Sequence, residues 1–293
     1  MLYLLLHLMS ENQTLWQNTK EWSTLLFTLE NKSTLRLVQI TDTHLYGHAD
    51  GELLGLNTRE SFQCVLNLVK KNHPTPHAII VSGDISQDLS LESYQYLHHH
   101  LQQFNCPKFL FEGNHDHPDY IKEIAQGNEY TEQVVRSDHW QLILLNSQVP
   151  TKVHGILADN QLQILEKSLQ ERPDLHTLIC FHHQPIPMES KWLDKIGLHN
   201  NQQLLDIIAK HANVRCVLWG HVHQESDRVV NAVRYISSPS TCIQFKPYST
   251  EFAIDELAPG YRWLDLHPDG SIETGVERVN EVAFSVDING TGY

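Results

Sequence analysis

The chain has 293 residues, a formal net charge of −14 and a pI near 5.7, so it can bury a substantial core but has no broad basic surface. That balance disfavours a general electrostatic grip on nucleic acid or an anionic membrane, and an anionic substrate would need a local source of positive charge. Five cysteines, Cys64, Cys106, Cys180, Cys216 and Cys242, form an odd set with no C-x-x-C pair and read as buried thiols of a reducing, cytoplasmic compartment.

The opening MLYLLLHLM is apolar but too short to span a bilayer, and no Lys or Arg precedes it as in a signal peptide. Residues 1–33 read as an N-terminal extension whose Trp16, Trp22 and Phe27 are available for packing. From residue 34 to 293 no long linker, repeat or low-complexity tract appears, so a single domain is expected. LRLVQI, HAIIVSG, KFLFEG, HTLICF and RCVLWG read as strands buried on both faces. Between them, NTRESFQCVLNLVKK carries Phe62, Val65, Leu66 and Val69 at helical spacing, with Asn57 and Glu60 placed like a capping box. SLESYQYLHHHLQQF, DNQLQILEKSL and NQQLLDIIAKH also read as helices, the histidines His98 to His100 as a solvated face. After Val229 short strands and turn residues take over, and Pro268, Asp269 and Gly270 in WLDLHPDGSI suit a hairpin.

Each of the five strand candidates is followed at once by Asp, His or Asn: TDTH, GDISQD, GNHD, HHQP and GHVH. A single such ending would mean little, but the carboxyl ends of strands in an α/β sheet converge where ligands bind. In extended chain, residues two apart point the same way, so Asp42 with His44, and His221 with His223, can each face one ion. Glycines 83, 113 and 220 would let the backbone turn sharply beside them. Asp42, His44, Asp84, Asn114, His182, His221 and His223 make an oxygen and nitrogen donor set, too large for one catalytic ion and sufficient for two if Asp84 bridges. Two metals about 4 Å apart can clamp the attacking and leaving oxygens of a displacement at phosphorus, which supplies the local positive charge.

The ordered set D-x-H, G-D-x(3)-D, G-N-H-D, H-H and G-H-x-H resembles the calcineurin-like metallophosphoesterases. Within them the chain is most similar to bacterial class III 3′,5′-cyclic AMP phosphodiesterases, through QITDTHL, LLGLNTRESF, GDISQD, GNHD, HHQPIP, SKWLD, GHVHQE, PSTCIQFKP and APGYR. The resemblance implies an α/β fold, a four-layer α/β/β/α sandwich with a dinuclear metal site at the strand carboxyl ends. It implies that Asp42, His44, Asp84 and His223 hold one ion, typically iron, and that Asp84, Asn114, His182 and His221 hold the other, often manganese, with zinc as a substitute. His115 corresponds to the histidine that contacts the phosphate and helps the leaving oxygen depart, and His44, Asp84, Asn114, His115 and His223 surround the substrate. Asp88 or Asp116 is the candidate to orient His115 by hydrogen bonding, and His183 is a candidate either for a supporting or substrate-side role or for a plain structural one. The implied reaction is hydrolysis of 3′,5′-cyclic AMP to 5′-AMP by a metal-bridging hydroxide, in a cytoplasmic protein with a homodimer as the family-level expectation.

Two departures stand out: Glu112 precedes GNHD where close relatives often have proline, and no Asp-Arg-Gly follows GDISQD, which argues against a Ser/Thr protein phosphatase. The rival substrates are a 2′,3′-cyclic nucleotide or another phosphodiester such as a pyrophosphate-linked sugar lipid, and the rival class is a non-catalytic scaffold of the same fold. Phe245 and Lys246 are candidates either for the nucleotide pocket or for a buried C-terminal strand.

Overall fold

Alternation with a period of two sorts the strand side chains into two faces, and that sorting builds the layers. The computed structural model describes residues 26–29, 33–280, 282 and 284–290. The packing expectations for Trp16, Trp22 and the Phe27 side chain lie outside what is described. A five-stranded sheet runs in the order Ile272–Arg278, Gly260–Leu266, Leu35–Ile40, Ala78–Ser82 and Lys108–Phe111, the last three mutually parallel. A seven-stranded sheet runs Leu26–Thr28, Val134–Arg136, Trp140–Leu144, His176–Cys180, Val214–Trp219, Val233–Ser237 and Ser226–Val230. Its four strands from Trp140–Leu144 to Val233–Ser237 are parallel.

Odd positions Leu35 and Leu37 face the other sheet, while Val38 and Ile40 face outward. The inward set meets Ile80, Phe109, Leu142, Leu178, Cys216 and Leu218 in one buried cluster between the sheets. Outward residues of the first sheet pack on helices Thr58–Asn72 and Leu91–Leu101, through Phe62, Val65, Val69, Tyr94 and Leu97. Outward residues of the second, including Ile179, Val217 and Trp219, pack on helices Asp159–Glu171 and Asn201–Ile208. The result is the expected four-layer α/β/β/α sandwich.

Local signals hold where they were read. Asn57 caps the first helix, its side chain accepting from Glu60 N at 3.0 Å. Residues 267–271 turn between paired strands Gly260–Leu266 and Ile272–Arg278. His98 and His100 are half-buried and His99 exposed, with His98 Nδ1 2.9 Å from the Tyr130 hydroxyl. All five cysteines are free, but only Cys180, Cys216 and Cys242 are buried; Cys64, within helix Thr58–Asn72, and Cys106, just before strand Lys108–Phe111, are half-buried. Among the described residues no helix is long and apolar enough to cross a membrane.

Candidate metal centre

The parallel strands of both sheets deliver their carboxyl ends to one edge, and the predicted residues converge there. Asp42 and His44 follow Leu35–Ile40, Asp84 follows Ala78–Ser82, Asn114 and His115 follow Lys108–Phe111, His182 follows His176–Cys180, and His221 and His223 follow Val214–Trp219. Asp42, His44, Asp84, His182, His221 and His223 are all buried, whereas Asn114 and His115 are partly open to solvent. His44 Nε2 and His223 Nε2 lie 3.2 Å apart, and His223 Nε2 lies 3.3 Å from Asp42 Oδ1. On the other side His182 Nε2 lies 3.2 Å from Asp84 Oδ2 and 3.9 Å from Asp42 Oδ1, and the His182 and His221 rings are 5.0 Å apart. His44 Nε2 is also 3.9 Å from Asp84 Oδ2, so Asp84 reaches both halves.

The donor atoms fit cations. Asn114 Oδ1 and both ring nitrogens of His221 are buried without a hydrogen-bond partner, and Asp84 Oδ2 and His182 Nε2 face each other as a buried ion pair. Leaving such atoms bare costs about 1–3 kcal/mol each, and their convergence is what a metal site requires. Meanwhile the opposite ring nitrogens are fixed: His44 Nδ1 donates to Gln87 Oε1 at 2.7 Å, His182 Nδ1 to the Ser82 carbonyl at 2.7 Å, and His223 Nδ1 to the Ile243 carbonyl at 2.8 Å. Each bond sets the tautomer and turns Nε2 toward the centre.

Backbone strain is present at the same residues. Asp42, His44, Asp84, His221 and His223 all have positive φ, between 44° and 65°. Non-glycine residues held there indicate a surrounding structure that over-determines them. The glycines divide: Gly83 makes the expected sharp turn with a φ of +89°, whereas Gly113 and Gly220 are needed for space. A Cβ on Gly220 would run into Thr41 Oγ1, and one on Gly113 into Asp84 Oδ1.

Charge states follow from burial and neighbours. Burial works to raise the Asp84 carboxyl, but His182 and then His115 outweigh it and hold it well below the usual carboxylate range. For His182 burial pulls down, yet the Asp84 charge prevails and raises it to about 9. Burial, assisted by His115, lowers His44 to about 3, and burial likewise holds His183 and His221 far below the normal imidazole range. These are neutral imidazoles, the form that ligates.

The supporting candidates fall in distinct places. Asp116 clasps two loops through three main-chain donors and one side-chain hydroxyl: Oδ1 accepts from Ile85 N at 2.9 Å, Ser86 N at 3.2 Å and the Tyr94 hydroxyl at 2.7 Å, and Oδ2 from Gly113 N at 2.8 Å. Burial and then the Asp84 charge raise it to about 7. Asp88 lies one turn away, bonded to Gly47 N, Ser86 Oγ and Ser90. His183 Nε2 donates to the Val153 carbonyl at 3.0 Å, while Nδ1 is 2.8 Å from Ser147 Oγ, so both nitrogens are engaged within the protein. His115 stands at the mouth, its ring 5.0 Å from that of His44 and its backbone N–H donating to Asp84 Oδ1 at 2.8 Å.

Sequence reasoning did not single out Ser82, Gln87, Ser147 or Gln148. Gln148 Nε2 donates to the carbonyls of Gly113 at 2.8 Å and Asp116 at 2.6 Å, bracing the GNHD loop. The apolar run WQLILL, followed by the polar Asn146, Ser147 and Gln148, was the available signal for Ser147 and Gln148. Glu112, the departure before GNHD, is buried and accepts from Asn146 Nδ2 at 2.8 Å. Phe245 is 1% exposed, in the short strand Gln244–Phe245, and stacks on His223; the buried-strand alternative therefore describes it.

Residues 35–225 match the calcineurin-like phosphoesterase family. A 3′,5′-cyclic adenosine monophosphate phosphodiesterase CpdA of Pseudomonas aeruginosa is 42% identical over 261 residues, covering 89% of this chain and 96% of the relative. The CpdA of Escherichia coli K12 is 38% identical over 273 residues, covering 92% and 99%. Among solved structures, a dimetal phosphatase from Danio rerio superposes with a TM-score of 0.58 at 15% identity, over 85% of this chain and all of that one. Purple acid phosphatase PPD1 from yellow lupin gives 0.61 at 12% identity, over 87% of this chain and 53% of that one. These last two are likenesses of fold.

Proposed function

The chain belongs to the calcineurin-like phosphoesterase family, and on that premise we propose that it is a dinuclear-metal phosphodiesterase converting 3′,5′-cyclic AMP to 5′-AMP. The observation that carries the reading is the convergence of buried oxygen and nitrogen donor atoms on both sides of Asp84, with a partly exposed His115 at their mouth. Asp42, His44, Asp84 and His223 would hold one ion, and Asp84, Asn114, His182 and His221 the other. Oxygen and nitrogen donors without thiolate suit iron and manganese, with zinc as a substitute. When bound, the pair supplies a nucleophile and neutralises the charge that builds on the phosphoryl oxygens.

The chain's own residues do the rest. His44, Asp84, Asn114, His115 and His223 line the phosphate position, and the rigid backbone of the ligand loops fixes it relative to His115. His115 donates a proton to the departing O3′, a role consistent with its place beside His44 at the open edge. Asp116 and Gln148 hold the loop that carries His115, while Asp88 and His183 brace the loops behind. The acidic balance supports a small-molecule substrate rather than nucleic acid or an anionic membrane, and five free cysteines support a cytoplasmic setting. Two sheets packed through one shared core support reading residues 34–293 as a single domain, to which Leu26–Thr28 of the N-terminal extension adds an edge strand.

The test compares turnover of 3′,5′-cyclic AMP, 3′,5′-cyclic GMP, 2′,3′-cyclic AMP and bis-p-nitrophenyl phosphate by manganese-loaded protein, beside His115→Ala. Efficient release of 5′-AMP that depends on His115 is expected. Turnover of only the activated or 2′,3′-cyclic substrates removes the cyclic AMP assignment, and no turnover with metals bound removes the enzyme.

A further inference from the structure

His223 is gripped by a single short stretch of chain. Its Nδ1 donates to the Ile243 carbonyl, and its ring lies face to face with Phe245, centroids 4.1 Å apart and planes 9° from parallel. The carbonyl at position 243 fixes the tautomer, and the ring at position 245 fixes the plane. We infer that Phe245 is a positioning residue for the ion held by Asp42, His44 and His223, an inference that rests on the two-ion reading above.

Phe245 is itself held from several directions. Its backbone pairs with Ile254 in a two-stranded ribbon, and Lys246 N continues the pairing to the Ala253 carbonyl at 2.8 Å. Trp192 packs edge-on to it, 5.0 Å away at 75°, as does Phe252, 5.5 Å away at 67°. Those two rings also meet each other edge to face at 5.2 Å. Trp192 is anchored in turn, its Nε1 donating to Ser249 Oγ at 3.0 Å. Thus the SKWLD and QFKPYST segments, which no ligand role absorbs, meet in one aromatic brace whose inner ring touches a candidate ligand.

The stretch is also tied to the opposite half of that site. Ser240 Oγ donates to the Asp42 carbonyl at 2.6 Å, and Thr241 N to the Thr41 carbonyl at 3.1 Å. Gln244 Nε2 closes the loop on the Ser240 and Cys242 carbonyls. Segment 240–245 therefore sets the distance between Asp42 and His223, which share one ion. An imidazole that ligates a cation becomes electron-poor, and the negative face of Phe245 favours that state. Loss of partners that orient a ligand typically weakens metal binding by about 10–100-fold.

The test titrates Mn²⁺ alone into chelator-stripped protein and follows free Mn²⁺ by electron paramagnetic resonance. Two dissociation constants are expected in the wild-type protein. Phe245→Leu raises one of them about tenfold, the one abolished by His44→Ala, and leaves the one abolished by Asn114→Ala within about twofold. Phe245→Tyr, which keeps the flat face, restores it, and Phe252→Leu, one ring further out, moves neither. Should Phe245→Leu fail to fold, Phe245→Met fills the volume without a flat face and gives the same reading. Wild-type constants at both sites in these variants overturn the inference and leave the two-ion reading intact. Uptake of fewer than two ions by the wild-type protein overturns both. Turnover is not part of the readout, so failure of the cyclic AMP assignment leaves the inference standing.

Discussion

The core between the two sheets and the rim at its carboxyl edge are equally buried, yet they are built on opposite principles. Leu37, Ile80, Leu178 and Leu218 lie in ordinary strand conformation against apolar neighbours, and burial alone accounts for them. A few residues further along the same strands, Asp42, Asp84, His182 and His221 are just as inaccessible, but they are polar, and three of them have positive φ. At the rim burial works against stability, so those residue types are there for chemistry, and the neighbouring core supplies the stability that holds them.

The sharpest way to break that contrast is to cut once on each side of it. Asp84→Ala should lose both ions, and forfeiting several kcal/mol of charge stabilisation corresponds to about 10³–10⁴-fold in turnover. Leu218→Ala should cost about 2–5 kcal/mol of stability by leaving a cavity, while each folded molecule keeps its metals and its kcat. Metal analysis and turnover per folded molecule, with melting curves alongside, decide the matter. If the Leu218 variant lost kcat and the Asp84 variant kept its metals, the division of labour would be wrong.

Within the rim, His115 differs from most of the ligands in being partly exposed, which it shares with Asn114, and it follows that ligand at the open edge. His115→Ala should therefore retain both ions and lose about 10²-fold or somewhat more in turnover. Metal loss in that variant would place it among the ligands instead. Gln148 stands one step back again, with two hydrogen bonds to the loop that carries His115. Gln148→Ala should lower kcat about tenfold with metal content unchanged, and an unchanged kcat would show that the loop keeps its place without it.

How far the sequence disclosed all this depends on whether the relevant atom belongs to a side chain. Asp42, His44, Asp84, Asn114, His182, His221 and His223 were legible because polar residues directly after apolar strands are conspicuous, and Phe62, Val65 and Val69 because helical spacing is. The partners that aim the imidazoles were not, since the carbonyls of Ser82 and Ile243 could belong to any residue. Gly113 and Gly220 suggested sharp turns, but their role is close packing against Asp84 and Thr41, which only the fold brings near. Trp140–Leu144 satisfies the same strand rule as its neighbours, so Ser147 and Gln148 could have been found by applying it once more. Val134–Arg136 and Leu26–Thr28 are too short for any pattern to establish.

A further effect concerns protons, and it separates the two halves of the rim. In the metal-free protein the Asp84 charge keeps His182 protonated up to about pH 9, whereas His44 is neutral above about pH 3 and His221 is also held neutral. A cation can take Nε2 of His182 only after displacing that proton, while His44 and His221 have none to give. Binding of the ion on the His182 side should therefore release about one proton at pH 7, and its apparent affinity should fall by about tenfold for each pH unit below 9. Above pH 9 the dependence should flatten, because His182 is then already neutral. Calorimetric Mn²⁺ titrations in two buffers of different ionisation enthalpy count the protons directly. Release linked instead to the ion on the Asp42, His44 and His223 side would mean that the charge pairing of Asp84 with His182 does not govern metal uptake.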